Sequence, residues 1–317
     1  MHKEVFMAEF FNNFTLVSQN VFVLFLLMAV GFAANKFKII NDNGAKCLSD
    51  LALRIVNPAV IISGFIREYD PELMGRYLIT LAISILAHVF LIIAANFLIF
   101  DKVENKEKVY RFAVIFSNAG YMAIPLQQAI LGGEGVFFGS AYIAGFNIVL
   151  WTYGALMMSG NKGGVSVKKA LFNPGIVSVC IGMIIFVLSV PVPEAVNSAI
   201  SHVAGLNTAI PMMIIGYYFA TADFKGAVTD LKSYYCLLLR LVVLPVIGIV
   251  VVRLCGFRGV EFVTVAIAMS TPCAAATTMF SAKYDRDVAL SARIVSFSTL
   301  VSILTMPVIV ALSMNYA

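Results

Sequence analysis

The sequence predicts an all-α polytopic membrane protein with ten transmembrane helices, on two observations. Of its 317 residues, 61% are hydrophobic and only 12% are charged, whereas about a quarter of the residues in a soluble domain are charged. The chain therefore has too few charges to solvate a surface, and the bilayer must be its solvent. Its apolar runs are also continuous over roughly 20 residues, which fits membrane helices and argues against the alternating pattern of a β-barrel.

Apolar runs bounded by charged and turn residues place ten spans along the chain. They are residues 14–36, 44–66, 75–100, 109–131, 135–159, 173–191, 195–221, 231–254, 260–282 and 288–313. The chain divides into a first five-span repeat at 1–159, a cytoplasmic linker at 160–172 and a second five-span repeat at 173–317. Because each half has an odd number of spans, the second half is predicted to enter the membrane inverted, as a 5+5 repeat.

The distribution of basic residues predicts the orientation of the spans. Most of the 22 Lys and Arg residues fall in the loops that follow odd-numbered spans. Cytoplasmic loops carry this excess, so both termini should face outward across the inner cell membrane. The net charge of +5 comes from these scattered loop residues rather than from a basic patch, and no nucleic-acid partner is expected.

Polar, proline-containing stretches interrupt spans four and nine at matching places in the two halves. The first interruption covers residues 117–125, and the second covers 269–273. Spans two and seven each carry an asparagine followed closely by a proline, at Asn57 and Asn207. Each asparagine precedes the interruption of its own half by a similar distance, which supports the repeat and predicts broken helices in spans four and nine.

Interrupted helices of this kind form substrate sites in secondary transporters. The half-helix after each interruption begins with free N–H donors and about half a positive charge, which together attract an anion. The predicted binding residues are Asn57, Asn118, Gly120, Tyr121, Pro125, Asn207, Ser270, Thr271 and Pro272, with Arg240 and Arg293 as helpers. A plain structural interpretation stays open, since asparagines also hydrogen-bond between membrane helices and prolines can act only as kinks.

Charged residues inside the spans form a second group of candidates. Lys46, Asp50 and Arg54 follow one another at intervals of four on span two and can form a ladder facing the bundle. Asp50 and Arg54 are its candidates for gating or coupling. Arg240 and Arg293 have no partner nearby in sequence; each can snorkel, bind backbone carbonyls or reach a carboxylate substrate. Neither interruption carries an Asp or Glu, which a cation/proton antiporter normally needs at the crossing.

Four stretches carry a family resemblance: residues 116–126 with the sequence FSNAGYMAIPL, Asn173-Pro174, 270–284 and 298–307. Together they resemble the auxin efflux carrier family in its short bacterial form, which includes malate and dicarboxylate permeases. The resemblance covers nearly the whole chain, and its motifs are specific as a set rather than singly.

The resemblance implies a scaffold domain, a transport domain, crossover helices in spans four and nine, an elevator-like alternating-access cycle and a homodimer. Family substrates are organic anions, including indole-3-acetate in plant members and dicarboxylates in bacterial ones. By motif, Asn118, Pro125 and Pro272 would form the crossover site. The bile-acid sodium symporters are similar in architecture, but they carry acidic and Gln residues near the second crossover, and 270–278 has none.

The leading hypothesis is a secondary transporter of small organic anions, mono- or dicarboxylates such as malate or auxin-like acids, working by alternating access. A bile-acid-symporter-like carrier or a cation/proton antiporter of similar architecture is the alternative, and a channel or sensor is a further one. An intramembrane enzyme is disfavoured because the chain has no HExxH motif and no paired carboxylates. No metal or cofactor is expected, and coupling to protons, sodium or the membrane potential stays open.

Overall fold

The computed structural model describes residues 2–160, 172, 174–221 and 230–317. Within these ranges the regular structure is helical, apart from an isolated antiparallel bridge between Ser117 and Cys273. The all-α polytopic class is therefore confirmed. Seven of the described helical segments are long and apolar enough to cross a membrane: Glu4–Lys36, Asp42–Phe65, Pro71–Leu98, Ala119–Ser159, Glu194–Thr221, Leu231–Leu254 and Val288–Asn315. Pro174–Val187 and Gly259–Ser270 are shorter apolar helices. The predicted linker at 160–172 falls almost wholly outside the described residues.

Within the described residues, fourteen α-helices follow one another along the chain. They are α1 His2–Lys36, α2 Asp42–Leu51, α3 Asn57–Phe65, α4 Pro71–Leu98, α5 Glu104–Ile115, α6 Ile124–Val149, α7 Ala155–Ser159, α8 Pro174–Val187, α9 Glu194–Thr221, α10 Leu231–Leu238, α11 Leu244–Leu254, α12 Gly259–Ser270, α13 Ala276–Lys283 and α14 Val288–Asn315. Single π-helical turns lie at Ala52–Val56, Ala119–Ala123, Leu150–Gly154 and Leu239–Val243.

Prolines explain the position of three of these π-turns. Pro58, Pro125 and Pro245 each stand two residues after the end of a π-turn. A proline lacks the N–H that would bond the carbonyl four residues earlier, and a wider turn at that place absorbs the missing bond. The sequence thus sets local irregularities in the second, fourth and eighth predicted spans.

The segment Ala119–Ser159 is not one straight span, because it folds back at Gly132. At 41 residues it would measure about 60 Å as a straight helix, twice the roughly 30 Å hydrocarbon core. Gly132 has φ 63° and ψ −147°, a conformation that glycine adopts far more readily than other residues. A Cβ atom added to Gly139 would stand 2.2 Å from Oε1 of Gln127, so the two arms of α6 lie side by side. The loop expected at 132–134 is thus a single sharp turn.

Helix packing brings elements from the two halves of the chain together. α1 packs along α9 and α14, and α3 packs along α8. The Phe32 and Phe219 ring centroids are 6.5 Å apart, and Nζ of Lys36 donates to the carbonyl oxygen of Ala220 at 3.3 Å. The C-terminal ends of α1 and α9 therefore lie next to each other.

An aromatic cluster closes the C-terminal end of α3. The Phe65 ring centroid lies 5.1 Å from that of Phe137 and 5.4 Å from that of Tyr77, and Phe186 lies 5.3 Å from Phe137. All four rings are buried. Because they come from α3, α4, α6 and α8, they join these helices at the end of the bundle that the sequence places on the outer membrane face.

Candidate functional site

Two helices stop inside the bundle, at the two stretches where the sequence predicts interruptions. α5 ends at Ile115, and Phe116 follows in an extended conformation with φ −98° and ψ 116°. α12 ends at Ser270, and Thr271 follows with φ −67° and ψ 152°, also extended. The residues on both sides of each break are buried, so the freed backbone groups need partners within the protein.

The two interruptions supply these partners to each other. The N–H of Asn118 donates to the carbonyl oxygen of Pro272 at 2.8 Å, and the N–H of Ala274 donates to that of Phe116 at 2.9 Å. This is a short antiparallel pairing of two extended segments. It joins the fourth and ninth predicted spans at one place, which becomes the centre of the candidate site.

Helical structure resumes just beyond this pairing on both chains. The first N–H groups of the new turns, at residues 119–121 and 275–276, have no acceptor among the described residues. Gly120, Tyr121, Ala275 and Ala276 are only partly buried, so these donors lie near accessible space. Each half-helix adds about half a positive charge at this end.

The C-terminal ends of the broken helices meet a buried arginine. Arg240 is 0% exposed, and its Nε donates to the carbonyl oxygen of Thr271 at 3.2 Å. Its Nη1 donates to Val114 at 3.2 Å, and its Nη2 donates to Met269 at 2.8 Å and to Thr271 at 3.0 Å. Of the three alternatives left open for Arg240, the structure shows hydrogen bonds to backbone carbonyls.

These contacts balance charge at the crossing. α5 and α12 each end with about half a negative charge, and the single guanidinium of Arg240 lies against both ends. The positive ends of the half-helices, by contrast, have no acidic side chain bonded to them in the described part of the chain. Glu261 does fall within the predicted ninth span, but it lies in the first turn of α12. There it binds Arg76, with Oε2 2.5 Å from Nη2.

The hydroxyl groups at the second break are bonded to their own helix. Oγ of Ser270 donates to Ile267 at 2.9 Å, and Oγ1 of Thr271 donates to Ala268 at 2.9 Å. Both side chains are completely buried. Their geometry favours a structural role over direct substrate contact, and Pro125 and Pro272 are buried beside the breaks.

Two buried asparagines carry amide atoms without hydrogen-bond partners, and one of them, Asn57, lies beside the first break. Asn207 is 3% exposed, and neither its Oδ1 nor its Nδ2 has a hydrogen-bond partner. Oδ1 of Asn57 is also buried without a partner. Nδ2 of Asn57 lies 3.6 Å from the place where a Cβ would stand on Gly120, and α9, which carries Asn207, packs against α3 and the π-turn at 119–123. Buried amides without partners are costly, and a bound polar ligand would satisfy them.

The remaining predicted residues lie further from the pairing. Nε of Arg54 is 3.2 Å from Oδ1 of Asp50, so the pair expected from the spacing forms. The side chain of Arg54 is 71% exposed and that of Asp50 is 63% exposed. The prediction that this ladder faces the bundle interior is therefore wrong, because both charges keep access to the surrounding space. Lys46 is also exposed. Arg293 is partly buried, and its Nε has no partner among the described residues.

Two further polar residues support the site and were not among the predicted ones. Oγ of Ser298 accepts a hydrogen bond from the N–H of Cys273 at 3.1 Å, which satisfies one more backbone group of the second break. Nε2 of Gln127 donates to the carbonyl oxygen of Thr264 at 2.9 Å and links α6 to α12. Their signal in the sequence is a polar side chain inside an apolar span.

Comparison with known proteins gives the family of this chain. A family model described as a membrane transport protein matches residues 16–310. The chain belongs to the membrane transport protein family. This match confirms the resemblance to the auxin efflux carriers that the motifs indicate.

Two relatives agree with this assignment. An uncharacterized transporter of Methanothermobacter thermautotrophicus is 21% identical over 293 residues, which cover 92% of this chain and 96% of the relative. An uncharacterized transporter of Methanocaldococcus jannaschii is 22% identical over 297 residues, covering 90% of this chain and 94% of the relative. The similarity extends over almost the full length in both cases and names no substrate.

Proposed function

We propose that this protein is a secondary transporter of small organic anions, mono- or dicarboxylates such as malate or auxin-like acids. The observation that carries the proposal is that, within the described part of the chain, the negative helix ends at the paired breaks have hydrogen-bond partners and the positive ends do not. Their negative ends are bonded to Arg240, whereas the N–H groups at 119–121 and 275–276 have no acceptor among the described residues. Two half-charges of positive sign match one carboxylate group.

The proposed site combines these backbone donors with neutral side chains. The carboxylate would lie against the N–H groups beyond Asn118 and Pro272, and Asn57 and Asn207 would hydrogen-bond the rest of the substrate. Broken helices that pair from two inverted repeats form midplane sites in this way. We accordingly keep the ten-span 5+5 repeat, in which α5 with the first arm of α6 forms span four and α12 with α13 forms span nine.

The different state of the two ends of the bundle supports a cycle of alternating access. The aromatic cluster of Phe65, Tyr77, Phe137 and Phe186 closes the end that faces outward in the predicted topology. At the other end, the Asp50–Arg54 pair remains exposed one to two turns before Asn57. This arrangement supports a conformation open to the cytoplasm, in an inner-membrane protein whose termini face outward and which works as a homodimer with elevator-like motion.

Counterflow in proteoliposomes tests the proposal. Vesicles preloaded with unlabelled malate or indole-3-acetate should take up the same labelled acid, with saturation and with competition by excess unlabelled acid. A carrier shows this exchange and an open channel does not. Absence of exchange of both acids by correctly folded protein would refute the organic-anion assignment.

Substitutions then test the site itself. Asn118→Ala and Asn207→Ala should each lower counterflow at least tenfold, because each removes a polar group of the proposed site. Asn20→Ala is the matched control, since the Asn20 amide donates to the carbonyl of Leu16 on its own helix. Asp50→Asn separates the alternative: loss of activity with Asp50→Asn, while Asn118→Ala stays active, would favour a cation antiporter.

A further inference from the structure

Arg240 binds backbone groups of the kind that hold a coupling ion in many secondary transporters. In broken-helix transporters, unwound carbonyls and half-helix C-terminal ends coordinate sodium. Here the corresponding carbonyls belong to Val114, Met269 and Thr271, and all three accept hydrogen bonds from one guanidinium. We propose that Arg240 is a built-in replacement for the coupling cation, so that anion transport by this protein needs no sodium ion. This inference rests on the proposed function.

The geometry of the guanidinium supports this assignment. Four donor contacts, at 2.8 to 3.2 Å, leave the carbonyl oxygens at the ends of α5 and α12 satisfied. The side chain is completely buried, and in the described part of the chain no carboxylate is hydrogen-bonded to it or forms an ion pair with it. The charge is therefore held by the helix ends themselves, which is the role that a bound cation would have. A sodium ion could not bind there, because the carbonyl oxygens already accept hydrogen bonds and the positive charge of Arg240 would repel the ion.

This arrangement fixes the charge that moves in one transport cycle. A cation tethered to α10–α11 stays with the protein, so the substrate crosses with its own charge only. A monoanion then distributes with the membrane potential, by about 50-fold for each 100 mV. With sodium coupling, the co-transported positive charge would reduce or reverse this dependence.

The first experiment separates driving forces in proteoliposomes that show counterflow of malate or indole-3-acetate. Net uptake of that labelled acid is measured in choline buffer under an inside-positive potassium diffusion potential set with valinomycin. It is measured again at zero potential with an inward sodium gradient. We expect uptake above the external concentration with the potential alone, unchanged when sodium is added, and uptake that stops at equal concentrations with the sodium gradient alone.

The outcomes distinguish this inference from the proposed function. Counterflow that persists while net uptake requires sodium would overturn the role of Arg240 and leave the organic-anion carrier in place. Absence of counterflow of both acids would overturn both. Potential-driven uptake without sodium supports both.

Variants test whether Arg240 itself is responsible. Arg240→Ala should lower uptake at least tenfold and, unlike the wild type, should regain part of it when guanidinium or sodium ions are added. Arg240→Lys should keep an intermediate rate. Arg258→Ala is the matched control, because Arg258 also donates to backbone carbonyls, those of Arg253 and Phe257, but at an exposed loop. Its uptake should equal that of the wild type.

A folding defect in Arg240→Ala would not remove the test. Thermal unfolding in detergent can be compared for the wild type and Arg240→Lys in sodium and in choline. The wild-type midpoint should be the same in both buffers, and that of the lysine variant should rise in sodium, because a shorter cation leaves carbonyls unpaired. A wild-type midpoint that rises with sodium, or an Arg240→Ala variant that transports normally in choline, would contradict the inference.

Discussion

Replacing Gly216 by alanine should separate α1 from α9 and destabilise the protein. A Cβ atom at Gly216 would lie 1.9 Å from the carbonyl oxygen of Met28, and one at Gly31 would lie 2.0 Å from that of Met213. Both obstacles are backbone atoms, so no side chain can rotate away. The two glycines thus allow the backbones of α1 and α9 to approach closely. The van der Waals packing at such a contact holds helices together in a bilayer.

The size of the effect follows from these distances. Ordinary van der Waals contact begins at 3.4 Å, so the backbones must move apart by roughly 1.5 Å at Gly216. Overpacking of this kind costs about 1–3 kcal/mol, and the separation also weakens dispersion contacts along the helices. Gly205 lies on the same helix with nothing within 4 Å of its Cβ position. Gly205→Ala should therefore stabilise the protein by about 0.5–1 kcal/mol through helix propensity alone.

The assay is thermal unfolding of purified variants in one detergent at one scan rate. Gly216→Ala should have a lower Tm than the wild type, and a Tm at least about 3 °C below that of Gly205→Ala. Gly31→Ala should behave like Gly216→Ala, because the contact is reciprocal. Equal Tm values for Gly216→Ala and Gly205→Ala would show that α1 and α9 do not approach as described.

Two further predictions concern charges at the membrane faces. A double-mutant cycle with Arg76→Ala and Glu261→Gln, followed by thermal unfolding, should give a coupling of about 1 kcal/mol or more. The Arg76–Glu261 pair is bidentate, and its side chains are only 33% and 13% exposed. The i,i+4 pair of Glu104 and Lys108 at the start of α5 should give a coupling of about 0.3–0.5 kcal/mol. Equal couplings for the two pairs would contradict this prediction. The second prediction concerns Asp101. The Lys232 ammonium and the N–H of Val103 hold the pKa of Asp101 below its ordinary value of 3.8. The ionised carboxylate therefore stabilises the folded protein above pH 3.8, and this stabilisation is lost as the pH falls through the pKa of the folded state. Asp101→Asn should therefore lower Tm at pH 7, and the difference in Tm from the wild type should shrink below pH 3.8. A difference that stays constant with pH would show that ionisation of Asp101 does not stabilise the fold.

Local features of this fold could be predicted from the sequence because they depend on neighbouring residues. Proline removes a helical N–H wherever it stands, so Pro125 marks the π-turn at 119–123 and Pro272 marks the break after Ser270 without knowledge of any other element. Spacing by four predicts the Asp50–Arg54 pair in the same way. At Gly132 the sequence predicts only a gap between two spans, because it shows that a span must end but not how tightly the chain reverses.

Long-range partners could not be predicted in this way. The acceptors of Arg240 lie on α5 and α12, up to 126 residues away in sequence, and no periodicity encodes that contact. The sequence showed only that a buried arginine must have a partner. The exposure of the Asp50–Arg54 pair likewise depends on how α2 and the π-turn at 52–56 pack against other helices such as α9, which the spacing of charges on one helix does not contain.

In the proposed site the preference for negative charge would come from the backbone, and selection among anions would come from side chains. The antiparallel pairing of Asn118 with Pro272 and of Phe116 with Ala274 satisfies backbone groups that lipid cannot. Arg240 then satisfies the negative helix ends, so the polar groups left over are the positive ones. At the proposed site any anion of suitable size would meet this same positive field, whichever side chains surround it. Selection among anions must come from groups such as the unpaired amides of Asn57 and Asn207. Substitution at these two positions should therefore change which carboxylate is exchanged, whereas loss of Arg240 should reduce exchange of every carboxylate.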